Sequence, residues 1–242
     1  MQTIALDLIK KLKNKGIDTF FGVQGGACAR LIEAVIKSGG KFYPVLNEQA
    51  AGYCAHGYFL TKKKPAGVIV TTGPGFTNAV SGISACYYDN IPTVVLVGQV
   101  KKKLNIAKKF DTKMVGFQEL PHLKIGKNFS DKVYCINSEQ NYKKFLRESL
   151  SEIDKITSII EILDDVQRIK IKSKQFIKKF KKEEKKKVSN FFKKKMIKYL
   201  NEASNPIFLI GAGFARSNKV STNINLLNKI NLPVSSSWGG QE

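Results

Sequence analysis

Lys41-Phe42-Tyr43-Pro44-Val45-Leu46 reads as a short strand, and Asn47-Glu48-Gln49-Ala50-Ala51-Gly52-Tyr53-Cys54-Ala55-His56-Gly57-Tyr58 as the helix that follows it. Asn47 is a good N-cap, so Glu48 falls on the first helical turn. The remaining positions are mostly small, which predicts a helix buried against neighbours. Two readings of Glu48 stand side by side. It can complement the helix dipole at the surface, or it can be a catalytic acid at the C-terminal edge of a parallel sheet, where open α/β folds bind ligands.

Working outward, Met1 to Lys15 carries apolar residues at Met1, Ile4, Ala5, Leu8, Ile9 and Leu12, the spacing of a helix with one buried face, and Gly16 ends it. Ile17 to Val23 is a strand, Gln24-Gly25-Gly26 its turn, and Ala27 to Lys37 a helix. Downstream, Ala66 to Thr71 is a continuous apolar run of the kind buried on both faces. It breaks at Thr72-Gly73-Pro74-Gly75 into a helix from about Thr77 to Tyr87. Pro92 to Gly98 gives another buried strand, and Gln99 to Phe129 a long basic loop with a short helix. Lys132 to Ile136, Glu139 to Ile153 and Thr157 to Leu163 read as strand, helix and strand. This alternation predicts an α/β fold with a doubly wound parallel sheet. The first domain spans residues 1–167 and a Lys-rich connector 168–198. In 199–242, Asn205 to Ile210, Ser221 to Ile230 and Leu232 to Val234 make one Rossmann-like β-α-β unit. One such unit is too little for an independent domain, so the sequence reads as an N-terminal portion of a longer or split protein.

The net charge of +22 over 242 residues raises nucleic acid as a partner. Its make-up argues against that: only Arg30, Arg147, Arg168 and Arg216 among 41 basic residues offer a bidentate guanidinium. The segment Arg168 to Lys198 alone holds 15 bases against Glu183 and Glu184, the pattern of a solvated helix or linker. No apolar run is long enough to span a membrane and no signal peptide is evident, which predicts a cytoplasmic protein. Cys28, Cys54, Cys86 and Cys135 are widely spaced with only His56 and His122 to join them, so they read as buried free thiols rather than a zinc site.

Three glycine turns follow strands: Gly22-Val23-Gln24-Gly25-Gly26, Gly73-Pro74-Gly75 and Gly211-Ala212-Gly213. None is a P-loop, and none completes a dinucleotide fingerprint, because Arg216 occupies the last glycine position of the third. Together they bring backbone N–H groups to the sheet edge that carries Glu48, making a crevice where a flat polar ring can lie on glycine backbone. Asn78 and Gln99 add amide groups there. His56 reads as a packing or surface residue with no orienting partner, and His122 carries no signal of its own.

Assembled, these residues resemble the N-terminal half of the thiamine diphosphate-dependent enzymes, specifically the acetolactate synthase large-subunit group. The resemblance rests on Glu48-Gln49 with Gly57-Tyr58, on Thr71-Thr72-Gly73-Pro74-Gly75-Phe76-Thr77-Asn78, and on Asp89-x-x-Pro92, Gly98-Gln99-Val100, Phe117-Gln118-Glu119 and Ile162-x-x-Asp165-Val166-Gln167 in order. It covers residues 1 to about 167, with 205 to the end similar to the start of the family's central domain.

The resemblance implies that Glu48 hydrogen-bonds N1′ of the cofactor's aminopyrimidine. By the same carry-over Gly73, Pro74, Asn78 and Gln99 line the pyrimidine site, Gly25 and Gly26 approach the thiazolium, and Phe117 and Gln118 face the substrate. The implied reaction decarboxylates a 2-oxo acid and joins the remainder to a second carbonyl, with the cofactor as electron sink. For an acetolactate synthase that is two pyruvates to acetolactate and CO2, in branched-chain amino acid synthesis. A related decarboxylase in another pathway, a non-catalytic protein keeping the fold and a polyanion binder are the alternatives. The family's active site lies between subunits, implying at least a homodimer or a separate chain that carries the diphosphate domain. Mg2+ ligands belong to that domain, and FAD to the central one. Gln24 stands where the family has Pro, and Asn47 where it has His, so the choice of oxo acid stays open.

Overall fold

The computed structural model describes residues 1–172, 188–215, 220–229 and 232–240. They fall into two compact units, residues 1–180 and 181–242.

In the first unit β1 (Gln2–Thr3) leads into α1 (Ile4–Lys13), whose apolar spacing buries Ile4, Leu8, Ile9 and Leu12 along one stripe. Then come β2 (Thr19–Gly22), α2 (Ala29–Lys37), β3 (Lys41–Pro44), α3 (Glu48–Lys62), β4 (Ala66–Val70), α4 (Pro74–Tyr88) and β5 (Thr93–Gln99). Short 3₁₀ turns and α5 (His122–Gly126) precede β6 (Lys132–Ile136), α6 (Glu139–Glu148), β7 (Thr157–Leu163), α7 (Asp164–Gln167) and β8 (Lys170–Ile171). Six strands form a wholly parallel sheet in the order β3-β2-β4-β5-β7-β6. Every residue of β4, β5 and β7 is buried, as expected of strands covered on both faces. One apolar cluster packs α1, α2 and α6 on one face, and a second packs α3, α4 and α5 on the other. β8 pairs antiparallel with β1, tying the end of this unit to its start.

Strand order fixes where a ligand can bind. From β2 the chain steps outward to β3, then returns to β4 on the other side of β2. Connections leave β2 and β4 in opposite directions, which opens a crevice beyond their C-terminal ends.

Three elements differ from the sequence reading. The helix after β4 starts at Pro74 rather than near Thr77, because Gly73 turns the chain at φ 67 and Pro at the first helical position is preset for a helix. α6 ends at Glu148, where Ser149 and the residues after it form turns. α3 is only half buried: Ala51, Gly52 and Ala55 are inside while Tyr53 is 48% exposed, so its small residues serve one stripe and not the whole surface.

That stripe meets α4 at a glycine contact. A Cβ on Gly52 would lie 2.5 Å from the Cα of Gly82, and one on Gly82 would lie 2.5 Å from the carbonyl oxygen of Gln49. The two backbones touch, and no side chain can yield. Gly52→Val is therefore expected to cost about 3 kcal/mol, at the upper end of ordinary overpacking, read as a lowered urea midpoint at unchanged slope.

Cys28 and Cys86 are buried, whereas Cys54 and Cys135 are only partly so. Burial pushes the Cys28 and Cys86 thiols from 9.0 up to about 11, and the Cys135 thiol to about 12. Raised thiol values stabilise the fold at low pH, and that contribution disappears as pH climbs through them. Unfolding free energy is expected to fall between about pH 9 and 12, and a Cys86→Ala variant to show a shallower fall over the same range.

In the second unit α8 (Asn190–Glu202), β9 (Phe208–Ile210), α9 (Ala212–Ala215), α10 (Val220–Leu227) and β10 (Val234–Ser236) give one β-α-β with its two strands parallel. Residues 173–187 of the Lys-rich connector and Arg216 lie outside the described residues.

Candidate active site

Glu48 starts α3 at the edge of the crevice. Asn47 caps the helix, its Oδ1 accepting from the Gln49 N–H at 2.8 Å. Because α3 and α4 touch at their glycines, Glu48 comes alongside the second turn of α4, and Asn78 Nδ2 donates to Glu48 Oε2 at 3.3 Å. The other carboxylate oxygen lies close against Gly75: a Cβ there would come 3.4 Å from Glu48 Oε1 and 2.7 Å from Thr71 Cγ2. Thr71 also meets Gly25, where a Cβ would come within 2.5 Å of its own Cβ. Gly25, Thr71, Gly75 and Glu48 thus form a continuous row across the mouths of β2 and β4. Pro74 opens α4 beside it and is exposed.

Next to the row is a cavity of about 630 Å³ lined by Gly25, Gly26, Thr71, Thr72, Phe117 and Gln118, with Lys101, Lys103 and Asp164 among its other walls. Four of the residues predicted from sequence therefore share one space. Phe117 is 76% exposed. Gln118 is held in the left-handed region at φ 58 with its N–H on Met114 Sδ at 3.0 Å.

The family described as thiamine pyrophosphate enzyme, N-terminal TPP binding domain, matches residues 2–120. Over those residues, just under half of the chain, the first domain is similar to that family. The acetolactate synthase large subunit of Buchnera aphidicola subsp. Schizaphis graminum is 44% identical over 98 residues, covering 40% of this chain and 17% of that protein. The mitochondrial acetolactate synthase catalytic subunit of Saccharomyces cerevisiae is 43% identical over 91 residues, 37% of this chain and 13% of the relative. The chloroplastic acetolactate synthase of Arabidopsis thaliana is 29% identical over 147 residues, 59% and 20%. The matched part spans a fifth or less of the length of each.

Every site residue named from sequence lies inside the part matched to the TPP-binding family, but the His122–Glu161 pair that braces the site lies beyond it. His122 is fully buried, and its Nδ1 is 2.7 Å from Glu161 Oε2 on β7. Its Nε2 accepts from the Gly73 N–H at 3.2 Å, so the ring carries its proton on Nδ1 and donates it to Glu161. Thr72 Oγ1 lies 3.2 Å from the same Nε2, 3.0 Å from Gln99 Oε1 and 2.8 Å from the Gln118 carbonyl oxygen. This network clamps the Thr72–Pro74 turn to the 118–122 loop. Sequence reasoning missed it. The available signal was Glu161, the one charged residue in the strand Thr157–Leu163, since a buried carboxylate needs a partner.

Gln99 belongs to this brace. It is 1% exposed, with Nε2 donating to the Leu120 carbonyl at 2.9 Å and Oε1 accepting from the Val100 N–H at 2.9 Å. Its amide is engaged inside the protein, so it supports the Gly73 turn from behind and does not itself present a group to the crevice. His56 is also corrected: Asp89 Oδ2 is 2.6 Å from its Nε2, so it has the orienting partner that the sequence reading denied it.

The row fits an aminopyrimidine. It offers a carboxylate at the crevice edge, one oxygen held by Asn78 and the other beside Gly75. Among the described residues no group of three or more His, Cys, Asp and Glu side chains is placed to hold a metal ion. No described helix is long and apolar enough to cross a membrane.

Proposed function

We propose that this chain supplies the pyrimidine side of a thiamine diphosphate site, and that the assembled enzyme decarboxylates a 2-oxo acid and joins the remainder to a second carbonyl in the manner of an acetolactate synthase. The observation that carries this reading is Glu48 at the switch-point edge, with Oε2 tethered to Asn78 and Oε1 beside the Gly75 backbone. Bound there, the cofactor supplies the electron sink for loss of carbon dioxide.

The residues present have separable tasks in this proposal. Glu48 holds a proton at ring nitrogen N1′, and Asn78 fixes the carboxylate so that one oxygen stays aimed at the ring. Gly75 and Gly25 let the start of α4 and the turn after β2 close onto Thr71, which sets the position of the row. Gly73 and Pro74 set the start of α4, and the His122–Glu161 pair keeps that turn in place. Gly26, Phe117 and Gln118 wall the space into which the oxo acid enters. The diphosphate and its metal are held by a second copy or by another chain or domain.

Titration of the chain with thiamine diphosphate and Mg2+ by calorimetry, followed by assay of pyruvate consumption and acetolactate formation, tests the reading. Saturable one-site binding per pyrimidine domain is expected. Absence of any binding contradicts the proposal.

A further inference from the structure

We infer that Glu119 is a positioning residue for the oxo-acid site: its carboxylate gathers the loop that carries Phe117 and Gln118, and so sets how bulky a 2-oxo acid the cavity accepts. This rests on the proposed function. Glu119 Oε1 accepts from the Ala107 N–H at 3.0 Å, and Oε2 accepts from the N–H groups of Val115 and Gly116, both at 3.2 Å. The Glu119 N–H in turn donates to the Gly116 carbonyl oxygen at 2.9 Å. Both ends of the loop thus meet on one side chain. Ala107 and Gly116 are buried, so removing the carboxylate takes away an acceptor that their N–H groups have inside the protein.

The loop held in this way sets the width of the cavity. Gly116 lies against two of its walls: a Cβ there would come 2.7 Å from Val100 Cγ2 and 3.0 Å from the Leu104 carbonyl oxygen, and Val100 and Leu104 line the same cavity as Phe117 and Gln118. Glu119 grips Gly116 by its N–H, which keeps the Phe117–Gln118 wall at a fixed spacing from the Val100–Leu104 wall. On the other side of Phe117, the Gln118 carbonyl oxygen accepts from Thr72 Oγ1 at 2.8 Å. Phe117 therefore stands between two anchored neighbours although its ring is exposed.

Two substitutions reach this spacing from opposite directions. Glu119→Gln keeps one oxygen acceptor but turns an NH2 group toward backbone N–H donors, so part of the grip is lost. Gly116→Ala leaves Glu119 in place and inserts a methyl group against Val100. A pocket of fixed width rejects a misfit of one methylene by roughly 10- to 200-fold, and a wall that yields gives up that discrimination.

Binding of pyruvate and of 2-oxo-3-methylbutanoate, which differ by two methyl groups on the carbon beside the carbonyl, is measured by ligand-detected NMR on the full chain with thiamine diphosphate and Mg2+ present. Backbone hydrogen exchange is followed on the same samples. The parent is expected to bind pyruvate about tenfold more tightly. Glu119→Gln and Gly116→Ala should each lose that preference while keeping the parent's affinity for thiamine diphosphate. In Glu119→Gln the amides of Ala107, Val115 and Gly116 should also exchange faster, with those of β5 unchanged. A parent without preference, binding of neither acid, or a preference that survives either substitution overturns the inference. So does unchanged protection of the three amides, or a fall in affinity for thiamine diphosphate alongside both acids, which is the signature of general loosening. Failure of the parent chain to bind thiamine diphosphate instead overturns the function itself.

Discussion

Glu48→Gln is expected to lower pyruvate turnover of the assembled enzyme on the order of a hundred- to ten-thousand-fold, the range for losing a general acid–base group, with almost no loss of stability. Gln keeps the size of the side chain and an oxygen that Asn78 can reach, so the packing of α3 on α4 is untouched. What is lost is the group able to hold and release a proton at N1′. Glu48 is half-buried on the first turn of α3, and its interaction with the helix N-terminus is worth about 0.3–1 kcal/mol. A single-turnover assay beside a thermal melt separates the two effects. Turnover within a few-fold of the parent would remove Glu48 from the chemistry, and a collapse of the melting temperature would show that its role is structural.

Glu161→Leu acts in the opposite sense, on stability first. The substitution leaves His122 Nδ1 without its acceptor at 2.7 Å and deprives Gln99 Nε2 of a contact at 3.2 Å, both inside the protein. Removing one partner of a buried polar pair typically costs about 1–3 kcal/mol, and up to about 5 if the pair is charged; roughly 3 kcal/mol is expected from urea unfolding. Combining it with His122→Leu should recover part of that loss, because two apolar side chains leave no orphaned proton. Affinity for thiamine diphosphate should stay low in the double variant, since the Gly73 N–H still lacks the imidazole that holds its turn. Stability and binding recovering together would refute the bracing role.

Much of the fold was legible because its signals are local. Ala66–Val70 is an apolar run that only a two-sided parallel sheet buries, and it is a strand with every residue inside; Thr157–Leu163 is buried as completely although it carries Thr157, Ser158 and Glu161. Asn47 ahead of Glu48 announced a helix start, and the side-chain cap is there. The brace behind the site was not legible, because its members meet only through the topology. His122 and Glu161 are 39 positions apart, joined when β7 lies beside β5 and α5 folds over the second apolar face. The same holds for His56 and Asp89, brought together across α3 and α4. The Gly98-Gln99-Val100 resemblance puts Gln99 at the ligand, whereas its amide is engaged inside the protein. β5 is buried at every position, so hydrophobic pattern alone could not say which way that amide turns.

Pairing of Glu48 with ring nitrogen N1′ is the central claim, and a thermodynamic cycle tests it most directly. Dissociation constants are measured by calorimetry for thiamine diphosphate and for an analogue with CH in place of N1′, each with the parent chain and with Glu48→Ala. A direct hydrogen bond between Glu48 and N1′ predicts that the analogue binds the parent about tenfold more weakly, a typical charge-assisted hydrogen bond, and that the difference vanishes in the variant. Equal binding of both ligands to the parent, or the same difference in Glu48→Ala, would contradict it.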